Sequence, residues 1–200
     1  LSMALWVHIN NNINIFLALR LSLFNSISIM TGTGYSTENF SNWGYFANTM
    51  FLIMMLLGGC SGSTTGGLKI FRIQVLWALV IKELKTIRSP RAISNINLKN
   101  ININENIINS VMIIFFCFIF SVFFIASVFL YYGYDFITSI SAAVTSVSVV
   151  GPGLGNIIGP EESFGQLPSA LKLLLSFGMV LGRLEYLAFL IILAPKFWIK

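Results

Sequence analysis

Charged residues are scarce in this 200-residue chain, where Asp, Glu, Lys and Arg make up 10% of the residues. An ordinary soluble domain has roughly a quarter. Hydrophobic residues make up 56%, and the mean hydropathy is +0.83. So few charges cannot cover the surface of a soluble domain. The composition therefore excludes an ordinary soluble globular protein and favours a protein whose solvent is the lipid bilayer.

The residue types that build disulfide frameworks, metal clusters and catalytic centres are scarce as well. Two cysteines, Cys60 and Cys117, lie far apart in apolar stretches, and the one histidine, His8, has no Cys, Asp or second His nearby. No Ser-His-acid pattern or pair of catalytic carboxylates stands out. The sequence therefore predicts a protein that is not an enzyme and has no covalent cofactor.

The net charge of +5 comes largely from one basic cluster. Nucleic-acid-binding proteins place basic residues along a soluble face among exposed aromatics, but the aromatics here, mostly Phe, lie within apolar runs. A basic cluster between membrane segments is typical of a cytoplasmic loop. We therefore predict contact with membrane lipid and no nucleic-acid partner. The cluster consists of Lys69, Arg72, Lys82, Lys85, Arg88, Arg91 and Lys99.

Long apolar runs dominate the rest of the chain. Residues 107–132 contain no charge and would form a helix of about 39 Å, enough to span a bilayer. The runs 13–30 and 135–147 are too short to span and predict re-entrant pore helices. Residues 46–81 are long enough but are interrupted by glycines, and Pro168 begins a last span to about residue 198. The pattern predicts an all-α integral membrane protein of helix/pore-loop/helix repeats, with re-entrant pore helices and one interrupted membrane helix.

Each short run is followed by a glycine turn that is suited to an ion-selectivity filter. A filter replaces the water shell of an ion with backbone carbonyl oxygens that point into one lumen, and glycine supplies the positive φ that such a backbone needs. A tight turn without an ionic role is the alternative. The predicted filter residues are Thr31, Gly32, Thr33, Gly34 and Tyr35 in the first loop, and Ser148, Val149, Val150, Gly151 and Pro152 in the second.

The interruption of the span 46–81 is a run of glycines and hydroxyl residues. Irregular backbone at membrane depth is tolerated only where protein or a water-filled cavity satisfies it, so this run should line a cavity. A plain loop or close helix packing is the alternative. The residues predicted to obstruct the pore as a gate are Gly58, Gly59, Ser61, Gly62, Ser63, Thr64, Thr65, Gly66 and Gly67, with Lys69 at the cytoplasmic end.

Arg183 lies in the middle of the last apolar span. An arginine at the bilayer centre costs about 2.5–3.5 kcal/mol even on insertion scales, so its side chain should face a wet cavity or a counter-charge. A structural ion pair is the alternative, although Glu185, two positions on, points to a different helix face.

In this order, the motifs resemble those of the Trk/Ktr/HKT superfamily of potassium transporters. Residues 28–37 look like the third filter of its bacterial Trk and Ktr branch and residues 150–155 like the fourth. Residues 58–72 match the interrupted helix of the third unit, and residues 182–185 match the last helix. Members of this family ring one pore with four such units. The first two filters must then come from elsewhere or be absent.

The resemblance implies a multi-pass protein of the bacterial cytoplasmic (inner) membrane, with potassium as its substrate and only metal ion. It implies a homodimer of pore subunits on a cytosolic nucleotide-binding regulatory subunit, which the basic residues 69–99 could contact. It also places Arg183 in the pore just below the filter, as part of the gate. The expected units are 1–81, a third repeat whose first helix is largely missing, and 107–200, a fourth repeat.

Residues 82–106 are expected to form a cytoplasmic basic loop between these units. The alternation of Asn and Ile in 93–108 is compatible with a strand, but we favour an interfacial loop or amphipathic helix, because a lone strand would leave its edges unpaired. Two other functions stay open. One is a secondary transporter that binds another solute at its broken helix, and the other is a truncated remnant that does not conduct.

Overall fold

A computed structural model of the chain describes residues 1–60, 62–63, 65–88, 97–98, 101–102, 104–155, 157–184 and 186–193. Its helices also include two short 3-10 turns, Phe40–Trp43 and Phe164–Gln166. The α-helices are α1 (Ser2–Asn11), α2 (Ile15–Thr31), α3 (Tyr45–Leu56), α4 (Ile70–Arg88), α5 (Glu105–Tyr131), α6 (Phe136–Ser148), α7 (Ser169–Leu184) and α8 (Tyr186–Leu193).

Helix α5 is the membrane span that the charge-free run predicted. It has 27 residues, and among the described helices it alone is long and apolar enough by composition to cross a bilayer. One face packs inward through residues such as Phe118 and Phe129, whereas Phe116, Phe120 and Phe123 are each more than 60% exposed. A soluble protein would rarely expose such a row of phenylalanines. This face suits contact with lipid.

Helix α6 has the opposite character, because it is short, rich in hydroxyl residues and almost wholly buried. Its 13 residues rise about 20 Å, which is less than the hydrocarbon core of a bilayer. Ala143 and Val147 pack into a core with α5 and α7, and Val144 packs into a second core with α1, α2 and α3. Helix α6 therefore lies at the junction of the two repeats, as a re-entrant pore helix should.

The predicted break in the span 46–81 is present between α3 and α4. Helix α3 ends at Leu56 and α4 begins at Ile70. Helix α4 continues to Arg88, so the first residues of the expected basic loop, 82–88, are helical.

Short strands occur where a loop or amphipathic helix was favoured. In the described part of residues 93–108, β1 (Asn97–Leu98) pairs antiparallel with β2 (Ile101–Asn102). The preference for an interfacial loop or amphipathic helix was therefore wrong at these four residues. A lone strand was rejected because its edges would be unpaired, but a hairpin supplies a partner from the same stretch.

One bound of each of three further helices agrees closely with the sequence. Helix α2 ends at Thr31, α6 follows Asp135, and α7 follows Pro168. Asp135 occupies the N-cap position, but its carboxylate makes no capping hydrogen bond. The last span is described as α7 and α8, and residues 194–200 lie outside the described part of the chain.

Close packing of α7 on α6 gives a test of this fold. A Cβ built on Gly182 would collide with the carbonyl oxygen of Val147. We expect Gly182→Ala to lower the free energy of unfolding by about 1–3 kcal/mol, the usual cost of overpacking. Thermal unfolding in detergent measures the change.

Val180→Ala is the control, because Val180 lies on the same helix and is 47% exposed. This truncation should change the melting temperature little. Equal melting temperatures for Gly182→Ala and the wild type would contradict the contact between α6 and α7.

Candidate functional site

Helix α2 ends in a Schellman motif that begins the first glycine turn. The amide of Gly32 donates to the carbonyl of Ile29 at 3.2 Å, and the amide of Thr33 donates to the carbonyl of Ser28 at 3.1 Å. The motif needs a left-handed residue just past the helix. Gly32 supplies it with φ 68°.

Helix α6 ends in the same motif at the second turn. The amide of Val149 donates to the carbonyl of Ser146 at 3.2 Å, and the amide of Val150 donates to the carbonyl of Thr145 at 3.1 Å. The left-handed residue here is Val149, with φ 54°. Thr31 and Ser148, the first residues of the predicted filters, are therefore the last residues of their helices.

The two glycine turns face each other. A Cβ built on Gly151 would lie 3.2 Å from the Cα of Gly34, and one built on Gly34 would lie 3.0 Å from the carbonyl oxygen of Val150. Gly34 has φ 76°, so both its backbone conformation and its surroundings require glycine. The carbonyl oxygen of Val149 likewise lies 3.3 Å from a Cβ built on Gly32. The fold thus brings together two loops that are far apart in sequence.

Hydroxyl groups of the pore helices hold the two loops. Ser28 Oγ donates to the carbonyl of Tyr35 at 2.6 Å, so one predicted filter oxygen already accepts a hydrogen bond from α2. Thr145 Oγ1 accepts from the amide of Gly151 at 3.1 Å. Each loop therefore receives a polar partner from its own helix, as irregular backbone in a membrane requires.

Asn25 fixes the chain just beyond the first turn. This side chain is fully buried. Its Nδ2 donates to Thr37 Oγ1 at 2.9 Å and to the carbonyl of Leu21 at 3.0 Å, and its Oδ1 accepts from the amide of Thr37 at 3.2 Å. One amide side chain thus links both sides of the loop.

Hydrogen bonds hold the described residues of the glycine tract between α3 and α4. The amide of Gly58 donates to the carbonyl of Leu68 at 2.9 Å, and the amide of Leu68 donates to the carbonyl of Leu56 at 3.1 Å. Within the loop, the amide of Gly59 donates to Thr65 Oγ1 at 2.9 Å. The hydroxyls of Ser63 and Thr65 therefore supply partners for backbone amides of the tract.

The tract lies directly against the end of α6. A Cβ built on Gly66 would collide with the carbonyl oxygen of Ser148, and one built on Gly67 would lie 3.4 Å from Ser148 Oγ. The contact is of backbone with backbone. The predicted gate and the second predicted filter are therefore immediate neighbours.

A cavity of about 230 Å³ lies beside this contact. The tract contributes the hydroxyls of Ser63 and Thr65 to its lining, and three basic residues, Lys69, Arg72 and Arg183, also line it. The structure thus brings Arg183, predicted from the far end of the chain, to the same cavity as the tract.

Part of the predicted site lies outside the described residues, namely Ser61, Thr64 and Glu185, together with Arg91 and Lys99 of the basic cluster. The remaining filter and gate residues are described. They form one continuous region made of the two turns, the tract and the cavity.

Four supporting residues were given no individual role from the sequence, although Ser28 and Gly182 lie in segments that the resemblance matched. In the sequence they are ordinary polar or small residues of helices. The turn motif shared by α2 and α6 is the signal that could have identified two of them, Ser28 and Thr145. These residues are Asn25, Ser28, Thr145 and Gly182.

A helical membrane protein in which two helices too short to span a bilayer end in glycine turns that face each other has the architecture of a pore-loop protein. Comparison with known proteins makes this specific. The family model TrkH, described as a cation transport protein, matches residues 9–199. The chain therefore belongs to the TrkH family.

Individual relatives agree with this membership. The Trk system potassium uptake protein TrkI of Halomonas elongata is 38% identical over 198 residues, 99% of this chain and 40% of the relative. TrkH of Escherichia coli K12 is 30% identical over 199 residues, with 98% and 40% covered. The chain thus spans about two fifths of the length of the relatives it matches.

A solved structure matches the fold. The crystal structure of the potassium transporter TrkH from Vibrio parahaemolyticus superposes with a TM-score of 0.86 and 29% identity, covering 98% of this chain and 42% of that one.

The buried amide of Asn25 generates a test of the scaffold around the first turn. Asn25→Ala would leave the amide and hydroxyl of Thr37 without this partner, and we expect it to lower the free energy of unfolding by about 1–3 kcal/mol. Thermal unfolding in detergent measures the loss. Asn14→Ala, which removes an exposed cap of α2, is the control and should cost less. A larger loss for Asn14→Ala would contradict the structural role of Asn25.

Proposed function

We propose that this chain forms half of the ion pathway of a Trk-type potassium uptake protein. The observation that supports this most directly is the contact between the two glycine turns, which brings the carbonyl oxygens of Val149 and Val150 close to the first loop. The names of the relatives, which are potassium uptake proteins, supply the substrate. Potassium is the cargo, with no bond chemistry and no covalent cofactor.

The filter in this proposal consists of residues 31–35 and 148–152. Two features favour a cation there. Backbone carbonyls of Val149 and Val150 are directed towards the first loop, and α2 and α6 both end at the loops. The C-terminal end of a helix has partial negative charge, so both pore helices attract a cation to the same place.

The gate in this proposal is the tract 58–67 together with the cationic cavity. Lys69, Arg72 and Arg183 repel a cation that leaves the filter towards the tract, because charge acts strongly where the dielectric constant is low. Movement of the tract changes both the width of the path and the position of Lys69, two residues beyond its end. The obstruction is therefore steric and electrostatic at once.

We further propose the setting in which this pathway works. The protein is a multi-pass protein of the bacterial inner membrane, and two copies of the complete pore subunit form a homodimer. A cytosolic nucleotide-binding subunit regulates it through the basic residues that follow the tract. The exposed basic residues at the end of α4, such as Lys85 and Arg88, support this assignment because they are available to an acidic partner.

Measurement of the reversal potential tests the proposed function. A complete pore subunit that has this chain as its third and fourth units should pass a current that follows the potassium gradient alone. A coupled carrier would instead show a reversal potential that depends on a second solute. A non-conducting remnant would pass no current, although the protein reaches the membrane.

Substitution of the facing glycines tests the filter. Gly34→Ser and Gly151→Ser introduce a Cβ where backbone lies within 3.2 Å, which displaces the carbonyl oxygens. We expect the permeability of potassium relative to sodium to fall about tenfold, equivalent to about 1.4 kcal/mol. Bi-ionic reversal potentials measure it. Gly165→Ala, in the exposed 3-10 turn Phe164–Gln166, is the control, and an unchanged ratio in both serine variants would reject the filter.

Removal of the cavity charge tests the gate. Arg183→Ala should raise potassium flux roughly fivefold, as expected for a barrier that falls by about 1 kcal/mol. Arg183→Lys keeps the charge and should keep the flux low. Rubidium uptake into cells that lack other potassium transporters measures the flux. A well-folded alanine variant with wild-type flux would show that Arg183 has only a structural role.

A further inference from the structure

The two turns share a hydrogen-bond motif but differ in the residue that adopts its left-handed backbone conformation. The left-handed residue is glycine in the first turn, Gly32, and valine in the second, Val149 with φ 54°. A β-branched residue in this region is an outlier, because its side chain crowds the backbone. Such strain persists only where the surroundings hold it, and it points to a function.

The surroundings of Val149 include the tract between α3 and α4. A Cβ built on Gly66 would lie 3.2 Å from Val149 Cγ2, and it would also collide with the carbonyl oxygen of Ser148. The backbone of Gly66 therefore lies against the residue before the strained position and against the side chain of the strained residue. Any displacement of the tract must change the packing of both.

Ser148 provides a second, independent observation. Its side chain is 3% exposed and faces Gly67, and Ser148 Oγ has no hydrogen-bond partner among the described residues. The equivalent hydroxyl in the first turn, that of Thr31, donates to the carbonyl of Ile27 at 2.7 Å. Among the described residues, the hydroxyl of Ser148 therefore has no hydrogen-bond partner at the contact between the second turn and the tract. The hydroxyl of Thr31 in the first turn is hydrogen-bonded.

We propose that Val149 is a positioning residue that couples the tract to the second filter loop, so that the position of the tract sets the discrimination between potassium and sodium as well as the flux. This inference rests on the proposed function. In it, Gly66 pressing on Ser148 and Val149 holds the Val149 and Val150 carbonyls in place. Release of the tract relaxes the left-handed turn and with it the second loop.

The variant Val149→Gly separates this role from simple stability. Glycine adopts φ 54° without strain, so the turn should fold, but the contact with Gly66 is lost. We expect the permeability of potassium relative to sodium to fall by about fivefold or more, the lower end of ordinary coupling between sites. Melting temperature in detergent should not fall. Val149→Thr keeps the branched shape and should restore most of the ratio.

Val180→Ala, which shortens an exposed valine elsewhere in the repeat, is the matched control. A double-mutant cycle with Gly66→Ala gives a second measurement, because residues in contact show non-additive effects. If the proposal holds, the effects of Gly66→Ala and Val149→Gly on the permeability ratio combine to less than their product.

Two results would overturn the proposal. One is a folded Val149→Gly variant with the wild-type permeability ratio, and the other is a cycle in which the two effects multiply independently. These results differ from failure of the proposed function, in which the wild-type protein itself passes no potassium-selective current. If Gly66→Ala does not fold, Val149→Gly with its threonine rescue still decides the question.

Discussion

The structure depends on one constraint, which is that backbone polar groups inside a bilayer must find partners within the protein. Three segments leave regular helix at membrane depth, namely the two glycine turns and the tract between α3 and α4. Each obtains partners from hydroxyl residues, such as Ser28 and Thr145 for the turns and Thr65 for the tract. This requirement explains why the most buried helix, α6, is rich in serine and threonine, whereas the lipid-facing α5 is rich in phenylalanine.

The same constraint explains why the two repeats have equivalent turns with different residues. Both pore helices need a left-handed residue to satisfy their last carbonyls, and glycine is the least strained solution. The second turn has Val149 at this position instead. Gly66 of the tract packs against Val149 and against Ser148, the last residue of α6. The first turn lies against the second turn, and Thr65 of the tract lies 4.0 Å from a Cβ built on Gly32. The two turns therefore differ in what surrounds them more than in their backbone.

Most of the helices and the outline of the site could be predicted from the sequence, because both follow from local signals. The length of the apolar run predicted α5, and the positions of the glycines predicted the two turns and the break after α3. Contacts between distant segments could not be predicted, because no local pattern encodes them. In the sequence, Asn25 is a polar residue in an apolar helix. Its structural role depends on a hydrogen bond from the amide of Thr37, which only the fold brings next to it. The hairpin at Asn97–Leu98 was missed for a related reason, since a strand is judged by its partner.

Charge is distributed unevenly along the proposed pathway. At the turns, two helix C-termini and the carbonyls between them favour a cation. Next to the tract, by contrast, the cavity is lined by the basic residues Lys69, Arg72 and Arg183. Lys69 and Arg72 also lie at the N-terminal end of α4, where the helix dipole disfavours positive charge. The position of these three basic residues beside the contact between Gly66 and Ser148 fits the proposed barrier to cations.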